Sequence, residues 1–515
     1  MRPESYWMAS TDQPDFPAYT GESATDVAVV GGGIAGICTA WELSRAGRQV
    51  TLLEADRVLA GTTGHTTAKL TALHGMPYAA LRSGLGERAA ARYAASQQHA
   101  IARVRGVAGE LGIDCDLETR AAYSYVTDEQ EIDRVRQEVA AAGAAGLPAE
   151  FVTDTALPYP VAGAVRVADQ AQFHPRRYLL ALTADLVRRG ARLHQRSRVV
   201  ALEEGTPCRL RTSSGATLSA EHVVIVTGYP VLDRLSVFTR LSPRRELVVA
   251  AAVDPRVDPA ADPDGMYLTQ AEGTRSVRTA PYPGGRRLLI VTGEVFRPGE
   301  VDTEARFDRL TGWVRDRFGV TAVDYRWAAQ DTSTTDQVPY VGAFPGGDGR
   351  VWVATGFNAW GMSNGVMAGE LLTALITGAA PPDWAPLYDP RRLHPTVEAV
   401  PLVQTGAAVA DHLVRDRWPV EDPSRIGSLA PGEGAVVDVD GELCAVARDA
   451  EGELHAVSAV CTHLGCVVGF NPAERTWDCP CHGSRFGVDG EVRGAPAVTP
   501  LGDRRDILRA TSARR

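Results

Sequence analysis

The chain has 515 residues, 44% of them apolar, and a formal net charge of −10. That length allows about three domains of ordinary size, and the acidic balance argues against nucleic acid or an anionic membrane as partner. With a mean hydropathy of −0.12, no run approaching ~20 apolar residues and a polar, proline-bearing N-terminus, neither a transmembrane segment nor a signal peptide is visible, so a cytoplasmic location is expected.

In chain order, the first element is Asp26-Val-Ala-Val-Val30, a β-branched apolar run that reads as a buried parallel strand. It enters Gly31-Gly-Gly33-Ile-Ala-Gly36, then a helical stretch ending near Gly47, then a second strand, Gln49-Val-Thr-Leu-Leu53, closed by Glu54. Glycines allow a tight turn and close approach to a pyrophosphate, the helix N-terminus favours its charge, and the acid suits a ribose hydroxyl. A lone glycine motif is weak, but strand, glycines, helix and an acid 18 residues beyond Gly36 form a full dinucleotide-binding unit. Glu54 would repel a 2′-phosphate, which disfavours NADP. The unit alone leaves FAD and NAD open.

The continuation bears on that choice. Gly61-Thr62-Thr63-Gly-His65, running on to Lys69, is a small, hydroxyl-rich loop suited to close packing against a flavin. Much later come the strand Val224-Ile-Val-Thr227-Gly228, the block Asp336 to Gly342, the strand from Val351 to Gly356, and a helix carrying Met362 through Gly369 to Leu375. These segments, with the opening Ser5-Tyr-Trp7, resemble the glycine/D-amino-acid-oxidase flavoproteins over about residues 5–380. The resemblance implies FAD as cofactor, held by Gly31, Gly33, Gly36, Glu54, Thr62, Thr63, His65, Thr227, Gly228, Gly356 and Met362. It also implies a fold: an α/β Rossmann-like FAD-binding domain from about 26–75, 165–235 and 330–380, and an α+β substrate domain from about 80–160 and 240–325. Together these form residues 1–390. In the related dimethylglycine and sarcosine dehydrogenases a histidine in a loop like that of His65 carries covalent FAD. Covalent linkage and a simple hydrogen bond are both open here.

Three side chains are expected to act on substrate. Lys69 is the single lysine among 53 basic residues; buried beside a flavin, its ammonium would be depressed in pKa and able to handle substrate protons. Arg278 lies where relatives bind a carboxylate, a task suited to a guanidinium fork. Trp360 could wall the flavin and favour an amine cation. Tyr267 and Trp327 are weaker candidates.

Prolines at 381, 382 and 386 to 395 end the flavoprotein region. A linker helix is expected within 391–420, and short strands from about Ala435. The last domain, 421–515, holds Cys461-Thr-His463-Leu-Gly-Cys466 and Cys479-Pro-Cys481-His482-Gly-Ser484, with fifteen residues between His463 and Cys479. Two cysteines on one iron and two histidines on the other is the ligand set of a Rieske [2Fe–2S] centre, to which each loop gives one of each. Cys₂His₂ also suits zinc, but zinc spacing normally groups like ligands, whereas here each loop mixes them. The segments resemble the all-β Rieske proteins of cytochrome bc-type complexes. That resemblance implies a disulfide between Cys466 and Cys481, a hydrogen bond from Ser484 to cluster sulfur, a covering turn at Gly494-Ala-Pro496, and histidine edges nearest solvent. Cys38, Cys115, Cys208 and Cys444 are expected to be packed thiols.

The expected function joins the two centres: an FAD-dependent oxidoreductase that oxidises the C–N bond of an amine or amino acid. Its electrons would leave one at a time through the cluster to an external acceptor such as a ferredoxin, cytochrome or quinone, as in a dehydrogenase more than an oxidase. Reverse flow from a ferredoxin to FAD, in a reductive or oxygen-activating reaction, is the main alternative, and a non-enzymatic redox carrier or sensor another. A Rieske oxygenase needs a mononuclear iron site, for which the eleven histidines supply no His-x₄-His pair.

Overall fold

A computed structural model describes residues 2–231, 235–271, 274–299, 302–415 and 420–508. Its first sheet is built on the Glu22–Val30 strand, which pairs in parallel with Thr217–Ile225 on one side and Val50–Leu53 on the other. Val351–Thr355 and Arg192–His194 extend it in parallel, and the hairpin strand Tyr340–Ala343 closes one edge. Val27, Val29 and Leu52 are fully buried, as a parallel strand covered on both faces requires. The helix Ile34–Arg45 packs against Gly361–Thr377. The contact is close because Gly365 and Gly369 present no side chain to Ile34 and Cys38.

A second, nine-stranded sheet runs from Tyr325–Thr334 through Leu241–Val253, Arg286–Phe296, Arg275–Tyr282, Met266–Thr269 and Glu118–Val126 to Gly163–Gln172 and Lys69–Leu70. Residues 165–172, grouped by the sequence with the FAD-binding segments, therefore run in this larger sheet. Their alternation of apolar and polar residues fits either sheet, and pairing with Glu118–Val126 decides it.

The helix Pro395–Arg415 follows, anchored at its start by the buried pair Arg240–Glu398 at 2.7 Å. The tail of the expected linker, 416–419, lies outside the described residues. A three-stranded sheet (Gly434–Val439, Glu442–Arg448, Leu454–Ser458) and a four-stranded one (Gly469–Asn471, Thr476–Asp478, Arg485–Gly487, Val492–Gly494) make the C-terminal domain all-β. Among the described residues no helix is long and apolar enough to cross a membrane.

Candidate functional site

A cavity of about 430 Å³ opens where the strand Glu22–Val30 ends, and it extends to the N-terminus of the helix Gly361–Thr377. At one end lies the glycine turn. Gly31 has φ of 114°, and a Cβ there would meet the Val226 carbonyl oxygen at 2.6 Å; a Cβ on Gly36 would meet the Gly31 oxygen at 1.9 Å. Only glycine lets turn, strand and helix approach this closely. Gly33 caps the helix without a side-chain bond, and Gly31, Gly32, Gly33 and the first helical residues Ile34 and Ala35 line the cavity, so this helix N-terminus suits an anion. Glu54 accepts from Gly32 N at 2.6 Å and from Asp56 N at 2.9 Å, and burial pushes its carboxyl up.

The Thr62–His65 turn forms the next wall. Thr63 Oγ1 accepts from Ile34 N at 2.9 Å, Thr62 Oγ1 donates to Gln330 O at 2.7 Å, and His65 Nδ1 donates to Gly61 O at 2.9 Å. Burial lowers the pKa of His65. Beneath the turn, Ser5 Oγ donates to Gly64 O and Trp7 Nε1 to Thr66 O. Thr227, Gly228, Gly356 and Met362 line the same space. At Gly356, φ is 75° and a Cβ would meet the Thr334 methyl at 2.3 Å.

Lys69 is buried on the neighbouring sheet edge, and its Nζ donates to Ser276 Oγ. Burial, then the charge of Arg278, lowers its pKa to about 7. Arg278 is also buried, but its guanidinium is committed to the carbonyls of Thr67 (3.0 Å) and Ala68 (2.6 Å), so it clamps the flavin loop from behind. Trp360 stacks on His74 with centroids 4.3 Å apart, while its neighbours Ala359 and Gly361 face the cavity. Tyr267 stacks on Tyr123 in the sheet core, and Trp327 Nε1 donates to His65 O at 2.8 Å.

Sequence reasoning missed several cavity residues: Arg244, Glu246, Gln330 and Asp331. Arg244 pairs with Glu246 at 3.1 Å, and burial raises the pKa of Asp331. A signal was available, because Arg244-Arg245-Glu246 interrupts an otherwise apolar strand.

In the C-terminal domain both cluster loops converge. Cys461 and Cys479 are hydrogen-bonded to one another, which lowers the Cys461 pKa to about 7. The His463 and His482 rings lie 5.1 Å apart. His482 Nδ1 is buried with no hydrogen-bond partner among the described residues, as expected of a nitrogen reserved for metal. Cys466 and Cys481 are disulfide-bonded across the loops. Ser484 reaches Cys461 and accepts from Ala497 N at 3.1 Å. The donor set fits a [2Fe–2S] cluster, and the glycine cradle fits a dinucleotide. One of the two histidine edges differs from the sequence expectation: His463 is part-exposed, but His482 is only 3% exposed, because Tyr229 and Phe238 of the flavin domain pack on it at 6.0 and 5.6 Å.

A dinucleotide cradle under a large mixed sheet, joined to a Cys₂His₂ loop pair, defines a flavin and iron–sulfur oxidoreductase. Residues 26–375 match the family of FAD dependent oxidoreductases, and the chain belongs to that family; residues 422–505 match the Rieske [2Fe-2S] domain. Its cofactors are accordingly FAD and a [2Fe–2S] cluster. The Bacillus subtilis protein YhfW, named for a Rieske 2Fe-2S centre, is 34% identical over 97% of both chains. Gamma-glutamylputrescine oxidoreductase of Escherichia coli is 23% identical over 73% of this chain and 89% of its own. Glycine oxidase of Geobacillus kaustophilus shares the fold, with TM-score 0.58 and 21% identity over 72% of this chain and 99% of its own.

Proposed function

We propose that the protein oxidises the C–N bond of an amine or amino acid and passes the electrons singly through its cluster to an external acceptor, acting as a dehydrogenase. FAD supplies two-electron acceptance when bound, and a Rieske cluster supplies one-electron transfer. The observation that carries this reading is the short connection between the two sites. Gly483, next to His482, accepts from Gln330 Nε2 at 2.8 Å, and Gln330 O accepts from Thr62 in the flavin loop. The nitrogen-bearing compounds in the names of the E. coli relative and the Geobacillus enzyme support an amine or amino acid as substrate.

In this reading Cys461 and Cys479 hold one iron, and His463 and His482 the other. Glu246 attracts the amine cation and Arg244 a carboxylate where one is present, both from the sheet face that also carries Val248 and Thr292 over the cavity. Lys69 takes up a substrate proton through Ser276, whose strand pairs Ser276 with Thr292. Arg278 and Trp360 act as positioning residues, holding the flavin loop and the start of the Gly361–Thr377 helix.

Anaerobic titration with a panel of amines and amino acids tests this. At least one compound should bleach the flavin band and bring up the g-anisotropic signal of the reduced cluster. A flavin reduced only by a ferredoxin would instead establish the reverse flow.

A further inference from the structure

The walls of the FAD cavity do not all come from the flavin domain. Glu474, Arg485, Arg493, Gly494 and Ala495, all in the Rieske domain, form one side of it. They cover both ends. Glu474 and Arg485 stand where their charges act on His65. Arg493 faces the other end, where Arg198 donates to Val492 O at 2.9 Å and senses the charges of Glu54, Glu491 and Arg493.

The rest of the contact is direct. Arg245, fully buried, pairs with Glu474 and with Asp478 at 3.2 Å. Thr303 Oγ1 donates to Asn471 Oδ1 at 2.8 Å. Backbone meets backbone at Gly299 and Gly469, where a Cβ on Gly469 would lie 2.3 Å from the Gly299 oxygen. Ala495 packs on the core of the dinucleotide sheet.

We propose that the FAD site is shared between the two domains, with the Rieske domain as its cover and Arg493 contributing positive charge toward the pyrophosphate from the Glu54 end. FAD then enters and leaves only when the Rieske domain is undocked, and cofactor and docking stabilise one another reciprocally. The proposal rests on the family's cofactor and not on any particular substrate.

Hydrogen exchange on the full-length protein, prepared with FAD and from riboflavin-limited cells without it, is the test. Without FAD, amides in Arg485–Gly487 and Val492–Gly494 should exchange at least about tenfold faster, alongside those of Thr62–His65, while Gly434–Val439 stays unchanged. Binding of FAD to the apoprotein, followed by quenching of flavin fluorescence, should weaken about tenfold in Arg493→Ala and in Arg198→Met, the loss expected for one charge-assisted contact. Arg493 is exposed and pairs with Glu491 near the surface, so its removal spares the core. Unchanged exchange across residues 485–494, or affinities within twofold of wild type in both variants, overturns the cover. A wild-type apoprotein that takes up no FAD overturns the cofactor as well.

Discussion

A methyl group on Gly36 would sit 1.9 Å from the Gly31 carbonyl oxygen, with rigid backbone on both sides. Gly36→Ala should therefore destabilise the flavin domain by about 3 kcal/mol or more and give protein purified without its visible flavin band, checked by absorbance and denaturant midpoint. Lys69 sets a pH dependence. Its folded pKa of about 7 lies below the ordinary 10.5, so between those values the unfolded chain binds more protons than the folded one. Its contribution to stability thus rises with pH across that window, and its penalty is greatest and constant below about 7. Lys69→Met should stabilise by a few kcal/mol at pH 6 and progressively less toward pH 10, read from urea midpoints. The Cys466–Cys481 bridge closes a span of 15 residues. Cys466→Ser with Cys481→Ser should cost about 3 kcal/mol by loop-closure entropy, seen as a lower melting temperature of the cluster's visible bands.

At the scale of elements, polar anchors decide where segments with little apolar surface come to rest. The loop 62–68 is held by Ser5 and Trp7 near the N-terminus, by Arg278 from the large sheet and by Trp327 from its edge strand. The helix Pro395–Arg415 leaves Val400 and Val403 exposed, and its start is fixed by Glu398. Arg240 donates to that carboxylate through Nη2 and Nε, 2.7 and 3.0 Å away, and also to Arg392 O, while lying over the Tyr340 ring. Removing one member of such a pair strands the other. Glu398→Ala should cost about 3–5 kcal/mol, whereas replacing Arg240 and Glu398 together by methionine and leucine should recover much of the loss in a double-mutant cycle.

Across the whole molecule, the two domains meet through a buried square of charge: Arg245 and Arg485 against Glu474 and Asp478. Burial alone would raise the Asp478 pKa, yet Arg485 and Arg245 more than offset it and keep the carboxyl below its usual range. Arg245→Leu leaves two carboxylates to one guanidinium and should loosen the interface. Calorimetry should then resolve two unfolding transitions where the wild type shows one cooperative transition, with the cluster released at the lower temperature.

The cofactors and the two folds were legible because their signals are local: a strand–glycine–helix–acid unit, and two loops each with a cysteine and a histidine at fixed spacing. Such patterns are imposed by the ligand over a few consecutive residues, so they survive in one dimension. What the tertiary structure decided is non-local. It set Arg278 to clamping a loop, put Arg244 and Glu246 on the cavity wall, and buried His482 against Tyr229 and Phe238. These outcomes depend on which faces of distant strands meet, and no spacing within a segment encodes that.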